Sequence, residues 1–388
     1  MRLIPWEYGV RNLSRSALRL ALGVAGSGLV VLLILSAAAF VRGMQKSLHA
    51  TGGRDNVILL GAGSEESFER SEIAPAVPGL VSASVSGIKS RLGVPFVSPE
   101  VFLQTSVKES RDAARSSQII ARGVTPTAFL VHGQVRISSG RAPVSGRDEV
   151  VLGSRAAAQL GWSEERMAIG GSIFFDDRAW TIVGRFDAPG TVMESEIWAP
   201  LSDLQIAARR DNLSCVVVTL DQADFDDIDA FARQRLDLEL VALRETDYYA
   251  GLSRFYRPIQ AMAWSTAILI ATGGLLGGLN TMYAAFAGRV REVGALQVVG
   301  FSRAAIVVSL IQESTLICTA GTLAGAALAM IALDGLTVRF SMGVFGLVVD
   351  SSVLLIGLLA GVGLGIVGAL PAALRCLRMP VSVALKAQ

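Results

Sequence analysis

Two glutamates near the middle of the chain form the pair with the most obvious catalytic potential. Glu194 and Glu196 stand two positions apart, and two carboxylates on either side of a glycosidic bond can cleave it if their separation in space is right. The same spacing is common on exposed strands, where it carries no chemistry. We therefore treat catalysis as a minor hypothesis and predict no catalytic residue.

Metal-ligating residue types are sparse. The two histidines, His49 and His132, could build a zinc site only with ligands from distant parts of the chain, and we expect both at the surface. An acidic run lacks the glycine and the closing glutamate of a calcium loop. Acids in the first turn of a helix, where they complement the helix dipole, explain it more simply, so we predict no metal site. The run comprises Asp221, Asp224, Asp226, Asp227 and Asp229.

Nucleotide-binding motifs are not supported either. A P-loop requires a lysine directly after a glycine, and no lysine of this chain follows one. Gly363, Gly365 and Gly368 fit the GxGxxG pattern of dinucleotide-binding folds, but they lie in an apolar run without a preceding strand. We predict that the chain holds no cofactor of its own.

The composition indicates a membrane protein. Of 388 residues, 52% are hydrophobic and 18% are charged, which is too apolar for an ordinary soluble protein. The net charge of +2 gives no basic field, so we expect no nucleic-acid partner. The hydrophobic residues are concentrated in four runs, each long enough for a transmembrane helix at roughly 1.5 Å per residue. These runs are residues 20–41, 258–288, 304–333 and 351–374.

A cleaved secretory signal is the alternative for the first run, which is longer than the roughly 7 to 15 apolar residues of such a signal. The third run contains Glu313, the one acid within a predicted span. An intramembrane carboxylate is a functional candidate, yet we favour a structural hydrogen bond over a proton relay because the other runs contain no acid. The widely spaced Cys215, Cys318 and Cys376 are predicted to be isolated thiols.

The distribution of arginines predicts the orientation. Basic residues cluster before the first run, between the second and third, and after the fourth, whereas the third-to-fourth loop offers only Arg339. By the positive-inside rule both termini are cytoplasmic and the long segment after the first span lies outside. The predicted domains are 1–41, with an entry helix and span 1; 42–257, exported; and 258–388, with spans 2–4 and a cytoplasmic loop at 289–303.

Alternating patterns in the exported segment predict a mixed α/β domain. Residues 171–175 and 179–184 form a hairpin around an Asp-Asp-Arg turn, and residues 213–220, 224–236 and 238–243 form a βαβ unit. The polar stretch 61–78 is predicted to be a mobile loop or an insertion. Residues from Glu245 to Tyr256 are expected to be helical and to continue into the second span as one rod, which Pro258 could kink. Two further strands are predicted at 56–60 and 149–152, the second followed by a short helix.

Glycines recur every four residues inside the later runs, a spacing that lets transmembrane helices approach closely. We predict that these faces pack within one protomer or across a dimer. The predicted packing residues are Gly273, Gly277, Gly321, Gly325, Gly357, Gly361 and Gly365.

The loop between the second and third runs reads as a short amphipathic helix, a Gly-Phe-Ser turn, and a helix capped by Ser302. At this loop the sequence resembles the MacB/FtsX-like permeases of ABC transporters. Segments 140–161 and 170–184 are similar to the periplasmic core domain of that family, and Pro371-Ala372 and Pro380 to its C-terminal ending. The loop residues that match are Arg291, Glu292, Val293, Gly294, Leu296, Gly300, Ser302 and Arg303.

This resemblance implies a multi-pass protein of the bacterial inner membrane. It implies a dimer with a second copy or a homologue, and a separate cytoplasmic ABC ATPase that binds ATP and magnesium. The loop would be the coupling helix that docks into this ATPase, and the spans would transmit motion. A periplasmic adaptor and membrane lipids are further expected partners. Gln297-Val298-Val299 departs from the family pattern, which has a basic residue followed by Ala-Leu.

Three functions are compatible with the sequence. The first is export or extraction of a hydrophobic or amphipathic substrate, such as a lipid, lipoprotein, peptide or drug. The second is an FtsX-like signal protein that controls a periplasmic cell-wall hydrolase or a sensor. The third, a membrane-anchored enzyme or adhesin without an ATPase, leaves the loop without a purpose. The predicted fold is a four-helix membrane protein with a mixed α/β domain between helices 1 and 2.

Overall fold

A computed structural model describes residues 17–287, 290–340 and 343–378. The chain divides into two compact units, which we call the helical unit and the sheet unit. The helical unit contains Met1–Gly43, Pro258–Leu336 and Leu347–Gln388, and the sheet unit contains Met44–Arg257 and Thr337–Gly346.

Eleven helices and fourteen strands are formed by the described residues. The helices are α1 (Ala17–Thr51), α2 (Val77–Ser84), α3 (Ala128–Val131), α4 (Ala156–Leu160), α5 (Leu201–Ala208), α6 (Phe225–Gln234), α7 (Glu245–Phe255), α8 (Arg257–Ala287), α9 (Val290–Val298), α10 (Arg303–Ala332) and α11 (Ser351–Arg378). The strands are β1 (Asn56–Gly61), β2 (Ser90–Arg91), β3 (Val94–Pro95), β4 (Val97–Val107), β5 (Ser117–Val124), β6 (Arg136–Gly140), β7 (Glu149–Gly153), β8 (Ser172–Phe175), β9 (Arg178–Asp187), β10 (Ile197–Pro200), β11 (Cys215–Thr219), β12 (Leu240–Arg244), β13 (Thr337–Phe340) and β14 (Gly343–Gly346).

Four helices of the described chain are long and apolar enough to cross a membrane, which confirms the predicted spans. They cover Leu20–Thr51, Arg257–Ala284, Arg303–Ala332 and Ser351–Pro371. Helix α1 continues ten residues beyond the predicted end of its span, because its last turns are amphipathic, with Met44 and Leu48 buried and Lys46 exposed. Helix α10 begins where the sequence predicts, since the Ser302 hydroxyl accepts a hydrogen bond from the backbone N–H of Ala305 at 3.3 Å.

The sheet unit is built on one ten-stranded mixed sheet. Its strand order is β12-β1-β11-β4-β5-β10-β7-β9-β6, and β8 pairs with β9. Strand β5 pairs antiparallel with β4 and parallel with β10, so it lies near the middle of the sheet. Val, Ile and Leu side chains of the strands join α2, α4 and α6 in the main hydrophobic core.

Local sequence patterns predict several of these elements correctly. Strands β11 and β12 both pair antiparallel with β1, so the βαβ unit is present with β1 between its two parallel strands. Asp224 caps α6 and shares a capping box with Asp227, which confirms the structural explanation of the acidic run. The β8–β9 hairpin turns on Asp176 and Asp177, both in the left-handed conformation that a tight two-residue turn requires.

The stretch 61–78 corrects one prediction. Of the predicted alternatives, a mobile loop or an insertion, the structure shows a loop, and this loop is anchored because Phe68, Ser71 and Ile73 are buried. Ile73 forms an isolated antiparallel bridge with Leu213. The polar composition predicted a loop and indeed no strand forms, but two apolar side chains anchor the loop to the core.

The predicted rod from Glu245 into the second span is also wrong. Helix α7 ends at Phe255, and α8 begins at Arg257. Pro258 has no N–H to donate to the carbonyl of Arg254, and its ring would clash with that carbonyl in a continuous helix. The segment therefore forms two helices, with Pro258 in the first turn of the second.

An unpredicted hairpin lies in the loop between the third and fourth spans. Strands β13 and β14 pair antiparallel and pack against α4 and against the 3-10 turn Val192–Ser195. Val344 and Phe345 are buried there. Gly343 has a φ of +156° and lies so close to Ser195 that a Cβ would stand 2.5 Å from the Ser195 hydroxyl. The hairpin is thus an integral part of the sheet unit.

Candidate functional site

The predicted coupling loop folds as helix α9 followed by a tight turn at Gly300, which has a φ of +101°. One face of α9 is buried, because Val290 and Val293 pack against Ile306 and Leu310 of α10. Gly294 is buried on the same face, while Leu296, Ser302 and Glu292 are half-buried. Arg289, at the start of the predicted loop, lies outside the described residues.

The opposite face of α9 is exposed and mostly apolar. Arg291 and Ala295 are exposed, and Val298 and Val299 are 66% and 76% exposed. Gly300 and Arg303 are also exposed. An exposed apolar surface of this kind is typical of a contact with another protein chain or with the membrane surface.

The glycines predicted for helix packing fall into two groups. Gly321 and Gly325 face Gly28 of α1, so that a Cβ on Gly325 would stand 2.6 Å from the Gly28 carbonyl oxygen. Three glycines of α11 also face close neighbours in the helical unit: Gly357 lies against Leu35, Gly361 against Thr322 and Gly365 against Thr315. In contrast, a Cβ on Gly273 or Gly277 would meet no atom of the described chain within 4 Å. Glu313 is buried on α10.

A cluster of buried charges in the sheet unit was not predicted from the sequence. Arg122 of β5 is 1% exposed. Its Nε and Nη2 atoms donate to both carboxylate oxygens of Glu196 at 2.8 and 2.6 Å, and its Nη1 donates to Glu100 of β4 at 2.9 Å. Trp198 donates its indole N–H to Glu196 at 2.8 Å, and the Phe102 ring lies 4.2 Å from the guanidinium carbon.

The cluster continues through His132, which follows α3. Its Nε2 lies 2.8 Å from the second oxygen of Glu100, and its Nδ1 lies 3.9 Å from Glu245 at the start of α7. The other Glu245 oxygen accepts the Gly53 backbone N–H at 2.7 Å and the Asn56 side-chain amide at 2.8 Å. We call Glu100, Arg122, His132, Glu196 and Glu245 the charge cluster.

His132 is therefore a correction: it is fully buried rather than at the surface, whereas His49 is exposed as predicted. The apolar residues Phe129 to Val131 directly before His132 were the available signal, since a short apolar helix turns this segment inward.

Electrostatics of the charge cluster favour a proton on His132. Burial raises the pKa of Glu100, but the neighbouring His132 and Arg122 charges outweigh it and lower this pKa to about 2. Burial lowers the pKa of His132, yet the Glu100 carboxylate outweighs that effect and the pKa is raised. The pKa of Glu245 is raised by its burial. The three carboxylates of Glu100, Glu196 and Glu245 lie around Arg122 and His132. A proton on His132 reduces the excess of negative charge in this cluster.

The glutamate pair Glu194 and Glu196 does not form a catalytic site. Both side chains are buried rather than on an exposed strand. Glu194 pairs with Arg155 at 3.1 Å, and Glu196 pairs with Arg122. Each carboxylate therefore has its own structural cation. Among the residues described by the structure, no three histidine, cysteine or acidic side chains are grouped as metal ligands.

The thiols of Cys215 and Cys318 are free, and Cys215 is buried in β11. Burial raises the pKa of the Cys215 thiol well above its usual value, so this thiol is protonated and unreactive at neutral pH.

Comparison with known proteins gives two family matches. Residues 18–234 match the MacB-like periplasmic core domain, and residues 264–381 match the FtsX-like permease C-terminal domain. No curated protein matches the chain.

Solved structures similar to part of the chain include two extracytoplasmic domains. The periplasmic region of MacB from Actinobacillus actinomycetemcomitans is 11% identical, with a TM-score of 0.39, over 52% of this chain and 94% of that one. The extracellular domain of the noncanonic ABC-type transporter YknZ from Gram-positive bacteria is 15% identical, with a TM-score of 0.37, over 48% of this chain and 99% of that one.

Proposed function

The chain belongs to the MacB/FtsX-like family of ABC transporter permeases, and from this premise we propose that it couples ATP hydrolysis by a separate ATPase subunit to movement of its periplasmic domain. The permease component of such transporters is membrane-embedded and not itself catalytic, and it works with an ABC ATPase. The further details below, which concern docking, dimerisation and substrate, are proposed for this chain.

The geometry of the 290–303 loop is the observation that carries this proposal. Val290 and Val293 pack α9 against α10, so a displacement of the loop is transmitted to α10, the third span. The face that remains exposed, with Val298 and Val299 at its end, is available to an apolar cleft of the ATPase. Such coupling requires two states of the permease that nucleotide binding by the partner biases.

A second permease copy is proposed to pair along α8. Gly273 and Gly277 stand one turn apart on α8, and a Cβ on Gly273 would meet no atom of the described residues within 4 Å. Small residues at this spacing allow two transmembrane helices to approach closely. The second copy is either identical or a homologous chain.

The proposed cargo is a hydrophobic or amphipathic molecule handled by the periplasmic domain. The four apolar runs contain one acid, Glu313, so the spans offer little polar lining for a hydrophilic substrate. The same feature favours a second candidate, an FtsX-like signal protein that controls a periplasmic hydrolase or sensor, since spans that only transmit motion need no lining. A periplasmic adaptor is a further proposed partner.

The proposal is tested by purifying the tagged protein from native membranes in mild detergent, identifying the chains recovered with it and measuring ATP hydrolysis. We expect an ATPase subunit in equal proportion to the permease. A Glu292→Arg variant is expected to lose this subunit, and a matched Glu165→Arg variant at an exposed position of the sheet unit is expected to retain it. Recovery of the wild-type permease alone, without ATP hydrolysis, would contradict the proposal.

A further inference from the structure

Three segments of the sheet unit lead directly, along the chain, into membrane spans. They are the end of α1 at Thr51, the start of α7 at Glu245, and the β13–β14 hairpin between the third and fourth spans. Two of them, the end of α1 and the hairpin, contact the 3-10 turn Val192–Ser195. The Thr51 hydroxyl accepts the Val192 backbone N–H at 3.0 Å, and Gly343 of the hairpin abuts Ser195.

The first two segments are joined through Glu245. Its carboxylate accepts the N–H of Gly53, in the connection between α1 and β1, and the side-chain amide of Asn56, the first residue of β1. Asn56 in turn accepts a hydrogen bond from Thr219 of β11 at 2.7 Å. The backbones approach closely at this point, since a Cβ on Gly52 would stand 3.0 Å from the Thr246 Cα.

The charge cluster extends this junction into the middle of the sheet. From Glu245 it passes His132, Glu100 on β4 and Arg122 on β5 to Glu196. Glu196 directly follows the turn Val192–Ser195, which contacts both Thr51 and the hairpin. These hydrogen bonds and short contacts therefore form a continuous network that links all three membrane-leading segments to the central strands β4 and β5.

Stability alone does not account for this arrangement. Burying charges costs free energy, and well-packed apolar side chains of similar volume often serve stability as well or better. Charged hydrogen bonds add a fixed geometry, because the planar guanidinium of Arg122 satisfies Glu196 and Glu100 in one orientation. A joint that must hold its shape while force passes through it needs that property.

We propose that the charge cluster is the joint that locks the three membrane-leading segments to the periplasmic sheet, so that they move as one body. Its members are positioning residues, and Glu245 is the one that closes the joint. The inference rests on the proposed function for the source of the movement, whereas the locking is a property of the permease alone and can be measured without an ATPase.

The test is hydrogen exchange, followed by mass spectrometry, of the full-length permease in detergent. In Glu245→Gln we expect backbone exchange at residues 52–56 and 245–249 to be at least about tenfold faster, since Gly53 and Asn56 then donate to a neutral amide instead of a buried carboxylate, while exchange at β6 and β9 is unchanged. The matched control is Glu149→Gln, which breaks the partly buried pair with Arg141 elsewhere in the same unit and is expected to leave residues 52–56 unchanged.

Two outcomes would overturn the joint. One is unchanged exchange at residues 52–56 in Glu245→Gln, and the other is faster exchange spread evenly over the whole sheet, which indicates a general loss of stability. If Glu245→Gln does not fold, Asn56→Ala removes one donor to Glu245 and leaves the cluster charges intact. It is expected to loosen the same residues to a smaller extent, and no local change in this variant would also overturn the joint.

The same variants separate the joint from the proposed function. Glu245→Gln is expected to retain the ATPase subunit in the mild-detergent purification, because its side chain lies in the sheet unit and not in the 290–303 loop. Failure to recover an ATPase with the wild-type chain would count against the proposed function and would leave the exchange result standing.

Discussion

The carboxylate of Glu245 accepts the backbone N–H of Gly53 at 2.7 Å, although the two residues stand 192 positions apart. Gly53 follows the helix that contains the first span, and Glu245 begins the helix that precedes the second. One side chain thus holds together both ends of the periplasmic domain. His132, 3.9 Å from the same carboxylate, connects this closure to the core of the sheet.

Acidification from alkaline toward neutral pH is expected to stabilise the periplasmic domain. The pKa of His132 is raised in the fold, so its contribution to stability is fully present below the unfolded value of 6.5 and is lost as the pH rises through the higher folded value. The raised pKa of Glu245 acts in the same direction. The charged groups that face His132 are Glu100, Glu245 and Arg122.

Thermal unfolding of the full chain in detergent, followed by tryptophan fluorescence, measures this dependence. The Tm is expected to fall as the pH is raised from about 6 to 9, through the region where the His132 contribution is lost. His132→Asn should flatten the slope. A Tm that rises over this range, or an unaltered slope in the variant, would show that His132 is not the titrating group.

Removing Arg122, the central cation of the charge cluster, is expected to lower the free energy of unfolding strongly. Arg122→Met leaves the buried Glu196 without a cation and Glu100 with His132 alone, and breaking a buried pair in this way costs about 3–5 kcal/mol. Neutralising both carboxylates as well, in a triple variant with Glu100→Gln and Glu196→Gln, is expected to restore much of this loss. The exposed Arg141 provides a control, because Arg141→Met breaks a pair whose arginine is in solvent and should cost much less stability than Arg122→Met.

Chemical denaturation of the full chain in detergent gives these free energies of unfolding. Equal losses in Arg122→Met and Arg141→Met would mean that burial of the cluster has no energetic importance.

Glycines of the two groups are expected to respond differently to a bulky side chain. Gly325→Leu forces α10 away from Gly28 of α1 and should lower the Tm of the permease in detergent. Gly277→Leu meets open space in the protomer, so it should leave protomer stability unchanged and reduce the dimeric fraction. Light scattering coupled to size-exclusion chromatography measures the dimeric fraction of each variant. A dimer that persists in Gly277→Leu would place the partner contact on another helix.

The sequence predicts those parts of the fold that depend on neighbouring residues. In the apolar helices, at the Asp224 cap and in the Asp176-Asp177 turn, the backbone hydrogen bonds are formed with residues close in the sequence. Composition and spacing are therefore sufficient to predict these elements. The loop at 61–78 was predicted, but its anchoring was not, because Phe68 and Ile73 contact residues far along the chain.

The charge cluster could not be predicted, because its five members come from separate elements between residues 100 and 245. In the sequence of β5, Arg122 is a charged residue between the small residues Ala121 and Gly123, a pattern typical of a side chain that faces solvent. Only the pairing of β5 with β4 and β10 brings it to Glu100 and Glu196. The docking of the β13–β14 hairpin has the same origin, since its partners on the 3-10 turn lie about 150 residues earlier.

The most direct test of the central claim is photocrosslinking from the exposed end of the 290–303 loop in native membranes. A photoreactive amino acid replaces Val299, which is 76% exposed, and for comparison Leu92, an apolar residue of the sheet unit that is 96% exposed. We predict that position 299 crosslinks to an ABC ATPase subunit, that ATP changes the yield, and that position 92 does not reach this subunit. Crosslinks from position 299 to lipid alone, with or without ATP, would contradict the account.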